Sequence, residues 1–206
     1  ELEDLVQSIV YVWYPGQAGG QALADVLFGR AAPSGRLPMT FPRSLDQLPP
    51  YEDYSMAGRT YRYATAEPLY PFGFGLSYAS FAYEDLRLDK ESLKAGDSLA
   101  VSCRVTNKGS VAAEEVVQVY ISDLAASVSV PLQRLVAFQR VLLEPGQTKE
   151  VTFNLGPETM MLVDDEGQWR LEPGAFRLTV GGCSPGERGL ELGTARPVDA
   201  TFSVIE

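Results

Sequence analysis

Leu99-Ala100-Val101-Ser102-Cys103-Arg104-Val105-Thr106 alternates apolar and polar residues along its length. Successive side chains on a strand point to opposite faces, so this stretch predicts a strand with Leu99, Val101, Cys103 and Val105 buried and the intervening residues mostly solvated. The same period of two recurs at Val117, Val119 and Ile121, at Val151, Phe153 and Leu155, and at Phe176, Leu178 and Val180. Further strands are expected near Phe81 to Leu88, Leu135 to Leu143, Leu162 to Arg170 and Thr201 to Ile205. About seven or eight strands at this spacing close most naturally as a two-sheet β-sandwich. Glu144-Pro145-Gly146 and Glu172-Pro173-Gly174 read as type II turns, in which Pro presets φ and Gly accepts a positive φ. Asp164-Asp165-Glu166-Gly167 reads as a hairpin turn, with Trp169 returning to the core.

Toward the N-terminus the periodicity changes. Ile9-Val10-Tyr11-Val12-Trp13-Tyr14 is β-branched and aromatic without alternation, the pattern of a strand buried on both faces of a mostly parallel sheet. Pro15-Gly16-Gln17-Ala18-Gly19-Gly20 breaks it, and Gln21 to Phe28 follows with helical spacing and Gly29 as a C-terminal cap. One strand and one helix cannot form a core, so this unit is expected to complete a sheet supplied from elsewhere. Between Arg30 and Ser80 the prolines 33, 38, 42, 49, 50, 68 and 71 recur among tyrosines and phenylalanines. A long stretch without regular elements but rich in aromatic area is expected to wrap over a domain surface.

The chain has 206 residues and a net charge of -10, which opposes contacts to phosphate backbones and excludes nucleic acid as a natural partner. With 45% hydrophobic and 21% charged residues it has the composition of a packed domain. The absence of histidine removes every nucleophilic scheme and metal site that needs imidazole. No apolar run approaches the roughly 20 residues of a membrane helix, and Glu1-Leu2-Glu3-Asp4 lacks both an initiator Met and a signal peptide's basic region. The sequence is therefore expected to be an internal piece of something longer or a processed product. Localisation is left open.

Candidate chemistry is sparse. The carboxylates cluster at Glu52-Asp53, Glu114-Glu115 and Asp164-Asp165-Glu166, where neighbours on a strand or turn point apart or into water. The Pro15–Gly20 turn offers backbone donors at a helix start, making Gln17 a weak ligand candidate, but it matches no phosphate-binding fingerprint and ordinary strand-to-helix packing explains it. Arg59-Thr60-Tyr61-Arg62-Tyr63 interleaves cations with rings; it reads as a sugar-stacking strip or, more simply, as an interdomain seam. Cys103 is expected to be a buried free thiol, with a bridge to Cys183 at a strand end as the alternative.

Three blocks in order resemble the C-terminal part of glycoside hydrolase family three, the β-glucosidases and β-xylosidases. Trp13 to Gly20, Ala24 to Gly29 and Pro33 to Pro38 resemble the last strand, helix and exit of that family's α/β-sandwich domain. Gly58-Arg59-Thr60-Tyr61-Arg62-Tyr63 and Pro68 to Tyr78 resemble the connection that follows. Val117 to Asp123, Glu144-Pro145-Gly146 and Glu172 to Phe176 resemble its third domain. Tyr54-Ser55-Met56 leans toward the β-xylosidase branch, and Val130-Pro131-Leu132-Gln133 departs from relatives that carry basic residues around the proline.

The resemblance implies a mainly β fold: a fibronectin type III-like (immunoglobulin-like) β-sandwich preceded by an α/β-sandwich remnant and a long wrap loop. It places the remnant at 1–42, the connection at 43–80 and the sandwich at 81–206. It also implies that the family's aspartate nucleophile and acid/base glutamate lie in preceding domains. No catalytic, cofactor-binding or metal residue is therefore expected here, and no substrate-binding residue is assigned. The expected partners are those catalytic domains and, in the complete enzyme, a β-linked oligosaccharide. The alternatives are a stand-alone carbohydrate- or protein-binding sandwich and the complementing half of a split glycosidase.

Overall fold

The computed structural model describes residues 5–205. Ten strands are present among them: β1 Phe81–Leu88, β2 Ser92–Lys94, β3 Leu99–Asn107, β4 Ala113–Asp123, β5 Arg134–Leu143, β6 Thr148–Leu155, β7 Leu162–Val163, β8 Trp169–Arg170, β9 Gly174–Gly181 and β10 Val198–Ile205. One sheet runs β1-β3-β6 and a second β2-β10-β9-β4-β5, with β7 and β8 as a separate hairpin. All pairs are antiparallel except the short edge strand β2, which lies parallel to β10. The inner faces meet as predicted: Leu99, Val101, Cys103 and Val105 are buried against a core that includes Val117, Val119, Leu178 and Val180.

The alternation on β4 breaks down because both of its faces are covered. Val117, Val119 and Ile121 enter the core, while Gln118 and Tyr120 on the opposite face are buried as well. Their cover is the segment from Arg30 to Ser80, which carries a 3-10 turn at Leu45–Gln47, a single helical turn α2 at Thr60–Tyr63 and a bridge between Phe41 and Tyr70.

Several expectations are corrected. Ile9 to Tyr14 forms no strand; these side chains are 43–101% exposed, and Trp13 takes a positive φ of 53°. A strand buried on both faces exists only with neighbours to pair and cover it, and the described residues supply none. The helix after it, α1, spans Gly19–Leu27 rather than starting at Gln21. Its end follows the prediction: Gly29 has φ 71°, its N–H meets the Val26 carbonyl at 3.0 Å, and the Arg30 N–H meets that of Asp25 at 2.7 Å.

Leu162 to Arg170 is not one strand but the two-residue arms β7 and β8 around the expected Asp164–Gly167 turn, and Trp169 faces solvent at 62% exposure instead of the core. Two-residue arms that pair only with each other have no further strand to cover the ring. Gly146 takes the expected positive φ of 73°, with the Gln147 N–H closing on the Glu144 carbonyl at 2.9 Å. Gly174 does not; it opens β9 in extended form. The sequence signals also missed β2 and the helical turn α3 at Glu187–Glu191, both too short for a period to register. No helix among the described residues is long and apolar enough to cross a membrane.

Candidate functional site: the seam between wrap and sandwich

Two arms of the wrap are tied to each other before they meet the sheet. The Leu37 N–H donates to the Phe74 carbonyl and the Gly73 N–H to the Leu37 carbonyl, both at 2.8 Å. The approach requires glycine, since a Cβ at Gly75 would stand 2.3 Å from the Gly35 carbonyl oxygen. This pairing joins the Pro33–Pro38 and Pro68–Tyr78 blocks into one unit.

That unit is keyed to β4 by a buried amide. Gln118 Nε2 donates to the carbonyls of Gly73 at 3.1 Å and Gly182 at 2.6 Å, while its Oε1 accepts the Tyr120 hydroxyl at 2.6 Å. Gly73 takes φ 78°, and a Cβ there would fall 2.1 Å from Gln118 Oε1. Aromatic rings complete the contact: Tyr61 stacks on Phe72 with centroids 4.3 Å apart and meets Tyr120 edge-on at 5.9 Å. Such pairs add roughly 0.5–1.5 kcal/mol beyond the area they bury. The loop between β4 and β5 and the start of β5 then clasp the wrap, with the Leu132 N–H on the Arg62 carbonyl at 2.7 Å and the Leu135 N–H on the Tyr61 hydroxyl at 3.2 Å.

A charged pair lies beneath this seam. Arg36 Nη2 stands 2.7 Å from Glu115 Oε2, with both side chains under 10% exposed, and the Tyr83 hydroxyl donates to Glu115 Oε1 at 2.7 Å. Burial pushes the Glu115 carboxyl above its ordinary range, opposed in order by the Arg36 charge and the hydrogen bonds from Tyr83 and Arg36. Burial next to this carboxylate likewise pushes the Tyr83 hydroxyl up. At the solvent edge Arg140 Nη1 bonds Glu114 Oε2 at 2.8 Å and Ser34 Oγ at 2.7 Å, and the Arg140 hydrogen bond lowers the Glu114 carboxyl.

The predicted candidates fall into place around this seam. Gln17 is exposed in its turn. Of the Arg59–Tyr63 strip, Arg59 holds the preceding loop by donating to the carbonyls of Ser55 at 3.0 Å, Asp53 at 2.5 Å and Pro50 at 3.3 Å. The Arg62 guanidinium lies 5.7 Å from the centre of the Tyr63 ring. The strip thus packs as a seam. Of the carboxylate clusters, Glu114 and Glu115 are seam residues. Asp53 and Asp164 accept backbone N–H groups of their own turns, which lower both carboxyls. At Val130–Gln133 the wrap is met by the neutral Gln133 amide, which donates to the carbonyls of Pro185 at 3.2 Å and Tyr61 at 3.5 Å.

Cys103 and Cys183 are both buried and free, so the alternative of a bridge is not adopted. Burial pushes the Cys103 thiol up to about 11, and it also raises Cys183. Among the described residues no group of three or more His, Cys, Asp or Glu is placed to hold a metal ion. Sequence reasoning missed Arg36, Gln118 and Tyr120 as the key residues of the seam. The one available signal was Tyr120 standing on the phase of β4 opposite Val119 and Ile121.

Residues 1–78 match the family described as the glycosyl hydrolase family 3 C-terminal domain, and residues 115–184 match the fibronectin type III-like domain. A β-xylosidase of Formosa agariphila is 41% identical over 87% of this chain and 25% of its own length. A thermostable β-glucosidase B of Acetivibrio thermocellus is 38% identical over 98% of this chain and 28% of its own. Among solved structures, β-glucosidase 3B from Thermotoga neapolitana superposes with a TM-score of 0.81 at 34% identity, covering 98% of this chain and 29% of that one. The chain therefore spans about a quarter of the length of the curated relatives it matches. Both domain matches, in this order, over a sandwich with this wrap, establish that the chain belongs to glycoside hydrolase family 3 and corresponds to its C-terminal portion.

Proposed function

We propose that the chain serves as the non-catalytic C-terminal portion of a retaining β-glycosidase that removes terminal β-linked glucose or xylose residues, and that its work is domain packing and stability. On this reading residues 1–42 complete the α/β-sandwich domain, 43–80 form the connection and 81–206 form the fibronectin type III-like domain. The preceding domains supply both catalytic carboxyl groups and the cleft for a β-linked oligosaccharide. No residue here acts in catalysis or holds a cofactor.

One observation carries this reading. The sandwich core is closed, whereas α1 has no buried residue and each residue from Ile9 to Tyr14 is at least 43% exposed. Six consecutive apolar and aromatic residues left this exposed call for a covering surface, and a sheet that accepts them as a further strand supplies both pairing and cover.

The test mixes the purified chain with a separately produced polypeptide carrying the preceding domains and follows hydrolysis of aryl β-glucosides and β-xylosides. The chain alone is expected to be inactive, the mixture active, and a chain lacking residues 1–42 unable to complement. Turnover by the isolated chain that survives a contaminant control, or undiminished complementation after the deletion, would overturn the reading.

A further inference from the structure

A cleft of about 140 Å³ opens at the end of the sandwich, where α2, the β4–β5 loop and the β7–β8 hairpin meet. Its floor is apolar, formed by Ile121, Met160 and Phe176. Arg62 and Arg134 both line it, and neither makes an ion pair among the described residues. That is unexpected in a chain with ten more acidic than basic residues. Arg62 Nε is buried without a hydrogen-bond partner. Arg134 is anchored through Nη2 to the carbonyls of Thr159 at 2.6 Å and Met161 at 3.2 Å, which fixes its position. The Arg134 guanidinium is pushed below its ordinary value first by burial and then by the Arg62 charge. Asp123 is the one carboxylate in the wall; its Oδ1 accepts the Ala125 N–H at 3.0 Å, and its charge partly offsets the downward push on Arg134 without forming an ion pair with either arginine.

Two like charges held together and partly desolvated are stabilised by an anion that enters between them, and guanidinium groups favour the planar fork of a carboxylate. The Trp169 ring lines the same cleft at 62% exposure, leaving an apolar face open for stacking. We infer that the cleft binds a uronic acid unit, with Arg62 and Arg134 taking its carboxylate and Trp169 stacking on its pyranose ring. The volume holds about one such ring. The inference stands apart from the proposed packing role, since none of these side chains belongs to the N-terminal surface on which that role rests.

The probe is glucuronate, titrated calorimetrically into the full chain at low salt, with glucose as the ring without the charge and acetate as the charge without the ring. Glucuronate is expected to saturate with a dissociation constant on the order of 1 mM, as suits a ligand of this size. Glucose and acetate are each expected to bind at least about tenfold more weakly. Arg62→Gln and Trp169→Ala, which remove side chains without structural hydrogen bonds, should each weaken glucuronate about tenfold while leaving the melting temperature nearly unchanged. Arg134→Lys retains a charge but loses the fork, and should weaken binding less than Arg62→Gln. Absence of saturation, equal binding of acetate, equal binding of glucose, or indifference to Arg62→Gln in a folded variant would each overturn the inference.

Discussion

Replacing Arg36 by Met leaves Glu115 buried against Tyr83 without its counter-charge. Removing one partner of a buried ion pair costs about 3–5 kcal/mol, because the remaining charge is neither solvated nor paired. For 206 residues the unfolding entropy is about 0.4 kcal/mol per kelvin, so the expected drop in melting temperature is roughly 7–12 °C near neutral pH. The pH dependence follows from Glu115, whose carboxyl is already raised by burial and rises further without Arg36. A carboxyl raised in the folded state adds stability below its unfolded pKa, and that contribution is lost as pH rises through the folded value. The penalty of Arg36→Met is therefore largest at the alkaline end of the range and shrinks as pH falls toward the ordinary carboxylate range. Arg36→Met combined with Glu115→Leu removes both charges and should recover most of the loss. The assay is thermal unfolding by circular dichroism of the three proteins, the unsubstituted chain and the single and double variants, between pH 5 and pH 8. A single variant as stable as the double one, or a penalty that does not change with pH, would refute the reasoning.

Three further outcomes are expected. Gly73→Ala forces a left-handed residue and displaces Gln118 from two carbonyls, and should cost about 3 kcal/mol in urea unfolding. Tyr120→Phe leaves Gln118 Oε1 buried without a donor and should cost about 1–3 kcal/mol, measurable in the same experiment. Cys103, with its thiol raised to about 11 and its side chain in the core, should resist alkylation in native protein at pH 8 and react freely in urea; rapid native labelling followed by mass spectrometry would contradict its placement.

The sandwich was legible because β3, which gave it away, has one face in the core and one largely open to solvent, the condition under which a period of two is written into the residues. β4 is harder to read, since Gln118 and Tyr120 lie under the wrap and both faces are selected for burial. The wrap itself was legible only through its aromatic area, as bonds such as Leu37 to Phe74 use backbone groups that leave no trace in residue type. Glu115 read as part of a solvated carboxylate cluster and Arg36 carried no reading of its own, because nothing local marks a pair separated by 79 positions. Ile9 to Tyr14 was misread as a formed strand for a different reason. Its composition suits a strand paired and covered on both faces, and the described residues supply neither.

The order in which the seam is written along the chain has a consequence for its biosynthesis. Arg36 precedes Glu115 by 79 residues and Gly73 precedes Gln118 by 45, so each wrap residue leaves the ribosome well before the sheet that receives it. Contacts of such separation close late, after the loop entropy between them has been overcome. Tyr61, Phe72 and Phe74 consequently spend the interval of β-sheet synthesis as solvent-facing aromatics on an unfinished chain, several seconds at roughly 5–20 residues per second. The same rings that lock the finished molecule make its nascent form a natural client for chaperones, and slowing translation through 80–120 should lengthen that exposure.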